Sequence, residues 1–305
     1  MTYYLGIDGG GTKTTCIVSD DSRELARADG GASNVIRVGE QAVRDSLRSA
    51  IRDVCAKSAI DPAQISRTVA GVAGAGRPEA RQFIERVLRE TVGGEVGVVG
   101  DADIALFAAF GSGPGVIVIA GTGSIALARD AQDNTVRAGG WGWAISDEGS
   151  GPWIGRAAVA AILHARDTRT QTDLEQRVLR AWQIPDMEQL VRHANALPPP
   201  DFGALLTDVV EAANTGDAFA GTVIARAGRV LALLVKMAAD RAFPPDSAAN
   251  PAIQVAMTGG VFAHAPNVRE AFYETLRTLV PQASVSPELC DPALGALQMA
   301  RLRTI

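Results

Sequence analysis

The sequence contains few cysteines and few aromatic residues. Its three cysteines, Cys16, Cys55 and Cys290, lie far apart in a chain of 305 residues and form no CxxC pair. This spacing excludes a disulfide scaffold, a zinc ribbon and an iron–sulfur site encoded by a local motif. Aromatic residues make up only 5% of the chain. The simplest interpretation is a reduced, soluble protein of the cytoplasm.

The chain also lacks a basic tract and a long apolar run. Lysine and arginine total 29 against 34 acidic residues, which gives a formal net charge of −5. A mildly acidic chain is a poor candidate for binding nucleic acid or an anionic membrane. No run approaches the roughly 20 apolar residues that cross a bilayer, and the N-terminal residues lack the basic region of a signal peptide. We therefore expect neither nucleic acid nor membrane as a partner, and the length favours two globular domains.

Glycine, in contrast, is abundant, and its 32 residues are clustered. The first cluster follows a predicted strand over 3–8 and reads Gly9-Gly10-Gly11-Thr12-Lys13 before a second strand over 15–19. Consecutive glycine N–H groups can converge on one anion because no Cβ blocks its approach, and Asp8 before them can hold Mg²⁺ through water. The turn is neither a Walker A loop nor GxGxxG. A plain glycine-rich hairpin with an exposed Lys13 is the alternative.

The same device occurs a second time. A predicted strand over 115–120 is followed by Gly121-Thr122-Gly123-Ser124 and a strand over 125–129. This repetition predicts a duplicated α/β fold with a cleft between the copies, in which the two turns grip opposite ends of one polyphosphate. A third glycine pair, Gly259-Gly260, follows a strand over 253–257, where backbone could pack against adenine or ribose. Taken singly, each of the later turns could equally be a plain turn.

Apolar periodicity predicts the remaining elements. The further predicted strands are 24–29, 68–73 and 95–100. The predicted helices are 40–57, 78–91, a stretch through Phe110, 267–280 and 293–303, and the region over 153–241 is predicted to be mostly helical.

Asp101 directly follows the predicted strand over 95–100 and precedes a helix through Phe110. A carboxylate at the end of a strand can accept a proton from a substrate hydroxyl, and a positioned base contributes roughly 10²–10⁴-fold in rate. The alternative is that Asp101 is the N-cap of the following helix.

The stretch Gly139-Gly140-Trp141-Gly142-Trp143, followed by Asp147 and Glu148, is the most unusual part of the chain. Flat aromatic faces, a carboxylate and backbone amides are what the C–H faces and hydroxyls of a sugar require. Upstream, the amide of Asn34 both donates and accepts, which suits vicinal hydroxyls. The alternatives are that both tryptophans pack inward, that the acids are solvated, and that Asn34 is a plain loop residue.

In their order and spacing these motifs resemble the BadF/BadG/BcrA/BcrD-type ATPases of the sugar kinase, actin and Hsp70 superfamily, and more closely its N-acetylglucosamine kinases. The resemblance runs nearly end to end and rests on Gly6–Thr12, Ala32–Asn34, Asp101, Ala120–Ser124, Gly139–Gly142, Asp147–Ser150 and Thr258–Gly260. It implies two α/β, ribonuclease-H-like (actin-like ATPase) domains flanking a nucleotide and sugar cleft. The domains would be residues 1–112 and 113–291, with a C-terminal helix over 292–305 returning to the first.

The resemblance also implies an activity, namely ATP-dependent phosphorylation of the 6-hydroxyl of N-acetylglucosamine, with ATP and Mg²⁺ as cofactors and a homodimer in the cytoplasm. Asp101 would be the catalytic base. Carried over to matching positions, ATP would be bound by Gly10, Gly11, Thr12, Lys13, Gly121, Thr122, Gly123, Ala213, Gly259 and Gly260. The sugar would be bound by Asn34, Asp101, Gly140, Trp141, Gly142 and Asp147, and Mg²⁺ by Asp8 through water.

Two family features are missing and several alternatives stay open. No cysteines match the cluster-binding cysteines of the dehydratase activators, and the zinc signature CxCGxxGC is absent. The stretch 197–219 resembles bacterial glucosamine kinases, so glucosamine, or a muropeptide-derived amino sugar, is an alternative substrate. An ATP-driven switch acting on a partner protein, or a sugar sensor without turnover, would be a different class. The tryptophan-containing stretch favours a sugar because a pure switch needs no pocket that recognises hydroxyls.

Overall fold

The structure is a computed structural model that describes residues 2–244 and 252–303. The chain divides into two compact units. The first contains the chain up to Ile117, the short segment Ala131–Asp133 and the chain from Cys290 onward; the second contains Val118–Asp130 and Asn134–Leu289. Each unit has one five-stranded sheet with helices, so the fold is α/β as predicted.

The elements follow one another along the chain with short connections. In order they are β1 Tyr3–Gly9, β2 Thr14–Ser19, β3 Glu24–Gly30, α1 Val35–Ser58, β4 Ile65–Val72, α2 Pro78–Arg89, β5 Glu95–Gly100, α3 Asp101–Phe110, β6 Gly115–Ala120, β7 Ser124–Arg129, β8 Thr135–Gly139, α4 Gly151–Asp167, α5 Leu174–Ala181, α6 Met187–Ala194, α7 Leu206–Asn214, α8 Ala218–Ala242, β9 Ile253–Thr258, α9 Gly260–His264, α10 Pro266–Leu279, β10 Ala283–Leu289 and α11 Pro292–Leu302.

The two sheets share one strand order. The first reads β3-β2-β1-β4-β5, and the second, from its β8 edge, reads β8-β7-β6-β9-β10. In the first sheet β1, β2 and β3 are antiparallel neighbours, whereas β4 and β5 run parallel to β1. The central strands are therefore β1 and β6, and each is followed by one of the two glycine–threonine turns. The repetition predicted from those turns is present in the topology.

The sequence of β1 explains how both faces of the first sheet are covered. Leu5 and Ile7 belong to the core that includes the buried faces of α1 and α2. Gly6 faces α11, where a Cβ on it would lie 2.4 Å from the backbone nitrogen of Leu297. Because side chains alternate along a strand, Asp8 shares the face that α11 covers. The C-terminal helix, predicted over 292–305, ends at Leu302 and lies in the first unit. Residues 304 and 305 of that prediction lie outside the described residues.

Two strands and one helix were not predicted, namely β8, β10 and the short α9. The β10 sequence, Ala-Ser-Val-Ser-Pro-Glu-Leu, is mostly exposed and carries few apolar residues, so it lacks the apolar run that indicates a strand. The helix α1 begins at Val35, five residues before its predicted start.

Helix α8 meets the length and composition of a membrane span. In the described part of the chain it alone does so, with a mean hydropathy of 1.7 in its most apolar window. The sequence-based expectation that no run of the chain approaches a membrane span did not take α8 into account. Half of that window is buried, and α8 packs against α4, α7, α10, β7 and β8. Its hydropathy is therefore explained by its place in the core of the second unit.

Candidate functional site

The first glycine turn is fixed by backbone hydrogen bonds. The N–H of Gly10 donates to the carbonyl of Lys13 at 2.8 Å and closes the turn between β1 and β2. The carbonyl of Gly10 accepts the N–H of Ser33 at 2.9 Å, which joins the turn to the segment leading into α1. Because the Gly10 N–H is used inside the turn, it would not be the group by which this turn holds an anion.

Asp8 lies partly buried at the penultimate position of β1. Burial raises the pKa of its carboxyl from the ordinary 3.8 to about 7. The neighbouring carboxylates of Asp101 and Asp291 also raise this pKa, and the ammonium of Lys13 lowers it. Three predicted site residues, Asp8, Lys13 and Asp101, therefore lie near one another in the first unit, together with Asp291, which was not predicted.

The surroundings of Asp8 fit a magnesium ion. The pKa is raised first by burial and then by two neighbouring carboxylates, and a divalent cation would relieve the repulsion between these carboxylates and Asp8. Mg²⁺ usually binds one or two carboxylates and keeps several waters beside the phosphates of a substrate. Over residues 2–244 and 252–303, no three His, Cys, Asp or Glu side chains are grouped as a metal cage. An ion near Asp8 would therefore depend on waters and phosphates for its other ligands.

Asp101 is the first residue of α3 and not its N-cap. Gly100 occupies the cap position, and its N–H donates to Oδ2 of Asp103 at 2.9 Å. The alternative that Asp101 caps this helix is therefore wrong, because Asp103 supplies the side chain at the helix start. Oδ1 of Asp101 accepts the N–H of Ala102 at 3.0 Å, which fixes the carboxyl at the end of β5.

Asn34 is the N-cap of α1, and not a plain loop residue. Its Oδ1 accepts the N–H of Ile36 at 3.1 Å. It directly follows Ser33, whose N–H is bonded to Gly10, so Asn34 lies close to the first glycine turn. With the amide oxygen engaged in the cap, a sugar hydroxyl would be met by the amide nitrogen.

The second glycine turn joins β6 to β7. The N–H of Gly121 donates to the carbonyl of Gly123 at 2.9 Å, and the carbonyl of Gly121 accepts the N–H of Gly151 at 2.9 Å. Thr122 lies between the two glycines at the tip. Because Gly151 is the first residue of α4, the start of that helix is attached to the turn.

The third glycine pair lies against the second turn. Gly259 has a φ of +106°, and a Cβ on it would lie 2.3 Å from the carbonyl oxygen of Ala120. A Cβ on Gly121 would be 3.9 Å from the nitrogen of Gly260. The ends of β6 and β9 therefore meet at three of the glycines expected to bind ATP.

Ala213 lies one residue before the end of α7. Its neighbour Asn214 accepts at Oδ1 a hydrogen bond of 3.3 Å from Nδ2 of Asn267, in the first turn of α10. The end of α7 is thereby attached to the segment that follows Gly259 and Gly260. A role of Ala213 in binding adenosine stays a prediction.

Asp147 is buried beneath the second turn, so it is not a solvated acid. Only 6% of it is exposed, and its backbone has a φ of +60°. Oδ1 accepts the N–H of Gly142 at 3.3 Å, and the carboxylate also accepts the N–H of Ser124. Burial raises the pKa of this carboxyl, while the two N–H donors lower it. A Cβ on Gly123 would lie 2.8 Å from Oδ2 of Asp147, which explains the glycine there.

The two tryptophans of the predicted sugar segment are exposed, by 67% for Trp141 and 41% for Trp143. The alternative that they pack inward is therefore wrong. The guanidinium of Arg137 lies 4.2 Å from the centre of the Trp141 ring. Arg156 lies 5.7 Å from the centre of the Trp143 ring and donates to the Trp143 carbonyl at 2.5 Å. Cations attached to aromatic rings hold both side chains at the surface.

Sequence reasoning missed Asp291, Arg137 and Arg156. For Asp291 a signal existed, since Asp before Pro at the start of an apolar periodic segment is typical of a helix N-cap. Asp291 does cap α11 and pairs with Arg27 at 2.7 Å. The arginines gave no signal, because their ring contacts depend on how β8 and α4 are placed.

Comparison with known proteins identifies relatives along the whole chain. The profile of the BadF/BadG/BcrA/BcrD ATPase family matches residues 5–300. A Clostridium acetobutylicum protein named N-acetylmuramic acid/N-acetylglucosamine kinase is 32% identical, with 99% of each chain aligned. An N-acetyl-D-glucosamine kinase of Dictyostelium discoideum is 28% identical, with 97% of each chain aligned.

Solved structures agree with this assignment. The crystal structure of an inferred N-acetylglucosamine kinase from Chromobacterium violaceum superposes with a TM-score of 0.79 at 27% identity, covering 98% of this chain and 99% of that one. With the glycine turns, their strand order and the family profile in agreement from residue 5 to residue 300, the chain belongs to the BadF/BadG/BcrA/BcrD ATPase family.

Proposed function

We propose that this protein is an ATP-dependent kinase that phosphorylates the 6-hydroxyl of N-acetylglucosamine. Its relatives support the class, since two kinases named for N-acetylated amino sugars align with 97% or more of the chain. The observation that carries the proposal is the placement of Asp101 near Asp8 in the first unit. A candidate base and a candidate metal carboxylate thus lie close to each other, Asp8 near the end of β1 and Asp101 directly after β5.

Phosphoryl transfer depends mainly on positioning and electrostatics, and each unit supplies candidate groups. Asp101 would accept the proton of the sugar 6-hydroxyl. The hydroxyl oxygen of the sugar would bond to the γ-phosphorus of ATP as the bond from that phosphorus to ADP breaks and ADP leaves. Gly11, Thr12 and Lys13, and separately Gly121–Gly123, would hold the phosphates. Mg²⁺, held by Asp8 through water, would neutralise charge on the phosphate oxygens.

The acetylated sugar is favoured over glucosamine by three observations. Trp141 presents an exposed apolar face to which an acetyl methyl could bind. Asp147 and Glu148 are the two acids that could pair with the ammonium of glucosamine. Asp147 is buried and accepts backbone N–H groups instead, and the carboxylate of Glu148 accepts the hydroxyl of Ser146 at 3.4 Å. The cation of Arg137 beside Trp141 would also repel an ammonium group.

N-acetylmuramic acid is a second candidate substrate, and Arg137 is the observation that favours it. This sugar carries a carboxylate on its lactyl substituent, and a guanidinium recognises carboxylates through paired hydrogen bonds. The Clostridium relative is named for both acetylated sugars. Arg137→Gln should then reduce turnover of N-acetylmuramic acid and leave that of N-acetylglucosamine within about twofold.

An ADP-release assay with the purified protein, ATP and Mg²⁺ tests the proposal. The panel is N-acetylglucosamine, N-acetylmuramic acid, glucosamine, glucose and a blank without sugar, and NMR of the product locates the phosphate. We expect sugar-dependent ADP release, highest kcat/KM for N-acetylglucosamine, and phosphate on O6. ADP release that no sugar stimulates would contradict a kinase and favour an ATP-driven switch; a preference for glucosamine would reject the acetylated sugar.

The homodimer and the cytoplasmic location stay predictions from the family resemblance. Light scattering of the purified protein at micromolar concentration would give the mass of the assembly, and a mass near 31.8 kDa would reject the dimer.

A further inference from the structure

Ser124 is bonded on three sides to the segment that follows β8. Its carbonyl accepts the N–H of Gly140 at 2.9 Å, and its hydroxyl donates to the carbonyl of Glu148 at 2.7 Å. Its N–H donates to the carboxylate of Asp147. Ser124 is buried, so water does not compete for these bonds. Movement at the base of the second glycine turn must therefore move residues 140–148 as well.

Asp147 makes the same connection from the other side. Its carboxylate accepts the N–H groups of both Ser124 and Gly142. Its backbone, at a φ of +60°, has a left-handed conformation that a residue with a side chain keeps only where its surroundings hold it. The bonds of the carboxylate to Gly142 and Ser124, and the bond of the Asp147 carbonyl to the N–H of Ser150 at 3.1 Å, hold it. One buried carboxylate thus joins the second glycine turn to the exposed tryptophan loop, which we define as Gly140–Ser146.

The proposed function assigns the two connected segments to different ligands, Gly121–Gly123 to ATP and Gly140–Gly142 to the sugar. We propose that Ser124 and Asp147 are positioning residues that couple the two ligands, so that a sugar bound at the tryptophan loop strengthens ATP binding at the second glycine turn. This inference rests on the proposed function. By linkage, ATP must strengthen sugar binding by the same factor.

The coupling arises because both ligands need the same backbone segments to become ordered, and the loss of conformational entropy occurs only once. Gly140 and Gly142 have φ values of +70° and +110°, and glycines leave the backbone of the loop with much conformational freedom. A sugar that orders the loop also fixes Gly140 and Gly142, and through them Ser124 and the turn. The second ligand then binds to a turn that is already ordered and loses less entropy.

Two serine variants separate coupling from stability. Ser124→Ala removes the hydroxyl that donates to the carbonyl of Glu148, the residue after Asp147, and so weakens the attachment of Asp147 to the second glycine turn while the backbone bonds stay. Ser150→Ala is the matched control: Ser150 is equally buried, and its hydroxyl caps α4 by accepting the N–H of Trp153 at 3.3 Å. Both variants lose one buried hydroxyl. The Ser150 hydroxyl bonds to the first turn of its own helix, whereas the Ser124 hydroxyl bonds across to the segment that follows β8. If Ser124→Ala does not fold, Ser124→Cys keeps the size of the side chain with a weaker donor.

The measurement is calorimetric titration of a non-hydrolysable ATP analogue with Mg²⁺, without sugar and with saturating N-acetylglucosamine. In the parent we expect the sugar to tighten binding about tenfold, a typical coupling between sites. In Ser124→Ala or Ser124→Cys we expect that ratio to fall below about threefold, while each ligand alone binds within about threefold of the parent. Ser150→Ala should keep the parent ratio.

Each other outcome has a defined meaning. A parent ratio of one, or a Ser124 variant that keeps the parent ratio, overturns the coupling and leaves the kinase proposal intact. An equal loss of the ratio in Ser150→Ala also overturns it, because the effect would then follow stability. If the parent binds neither the analogue nor any amino sugar, the proposed function fails and this inference fails with it.

Discussion

Replacing Asp8 with asparagine is expected to stabilise the protein at neutral pH. The folded chain holds the pKa of this carboxyl at about 7, mainly through burial, against an ordinary value of 3.8. Between these values the folded state binds more protons than the unfolded state, so stability must fall as pH rises through that window. Asparagine has nearly the same shape and does not ionise, so the variant lacks this loss.

The structure sets the size of the effect. A pKa difference of about 3 units, at about 1.4 kcal/mol for each unit, corresponds to about 4 kcal/mol of unfolding free energy as an upper limit. At pH 4 the Asp8 carboxyl is protonated in the folded state, and the variant should differ little from the parent. By pH 8 the variant should be the more stable protein by up to that limit.

Urea unfolding from pH 4 to pH 8, with a chelator and without nucleotide, measures the difference directly. Other carboxyls with raised pKa values, including Asp147, are present in both proteins and cancel. Asp53→Asn, on the exposed side of α1, controls for the loss of one negative charge. A difference between Asp8→Asn and the parent that is constant with pH, or largest at pH 4, would refute the reasoning.

Three further substitutions test other parts of the site. Asp101→Asn should lower kcat by roughly 10²–10⁴-fold with substrate binding retained. The control Asp103→Ala should cost about 1 kcal/mol in urea unfolding and keep kcat. Comparable rates for Asp101→Asn and the parent would show that Asp101 is not the catalytic base. Trp141→Ala should lower the kcat/KM preference for N-acetylglucosamine over glucosamine by roughly 10-fold or more, and an unchanged ratio would mean that the ring does not contact the acetyl group. Gly259→Ala should destabilise the protein by about 3 kcal/mol in urea unfolding, because its Cβ would collide with the β6 backbone. The control Gly216→Ala, also at positive φ but facing open space, should cost about 1 kcal/mol. Equal losses of stability in the two variants would contradict the collision.

Local patterns predicted the central strands and both glycine turns. β1 ends at Gly9 and β6 is followed directly by Gly121, and the two turns depend on residues adjacent in sequence. The start of α1 was missed because the helix begins before Gly39, at the cap Asn34, and Gly39 interrupts it with a φ of +81°. The apolar periodicity becomes regular only after that glycine.

Asp147 shows why the site itself could be predicted only in part. Its local sequence, Ser-Asp-Glu-Gly, is typical of an exposed acidic turn. Its burial depends on donors from Gly142 and Ser124, and Ser124 is 23 residues earlier in the printed sequence. Packing of this kind follows from the fold and leaves no local pattern.

The position of α11 has a consequence for synthesis of the chain. Domains generally fold in the order in which the ribosome makes them, the N-terminal one first. Here Val69, Ile104 and Phe107 of the first unit pack against Ala296 and other residues of α11, which follows the second unit along the chain. The second unit can complete its core before α11 is made, so the first unit is finished only after the second unit has been synthesised. A nascent chain or a truncated product without α11 exposes an apolar sheet face to chaperones and to aggregation.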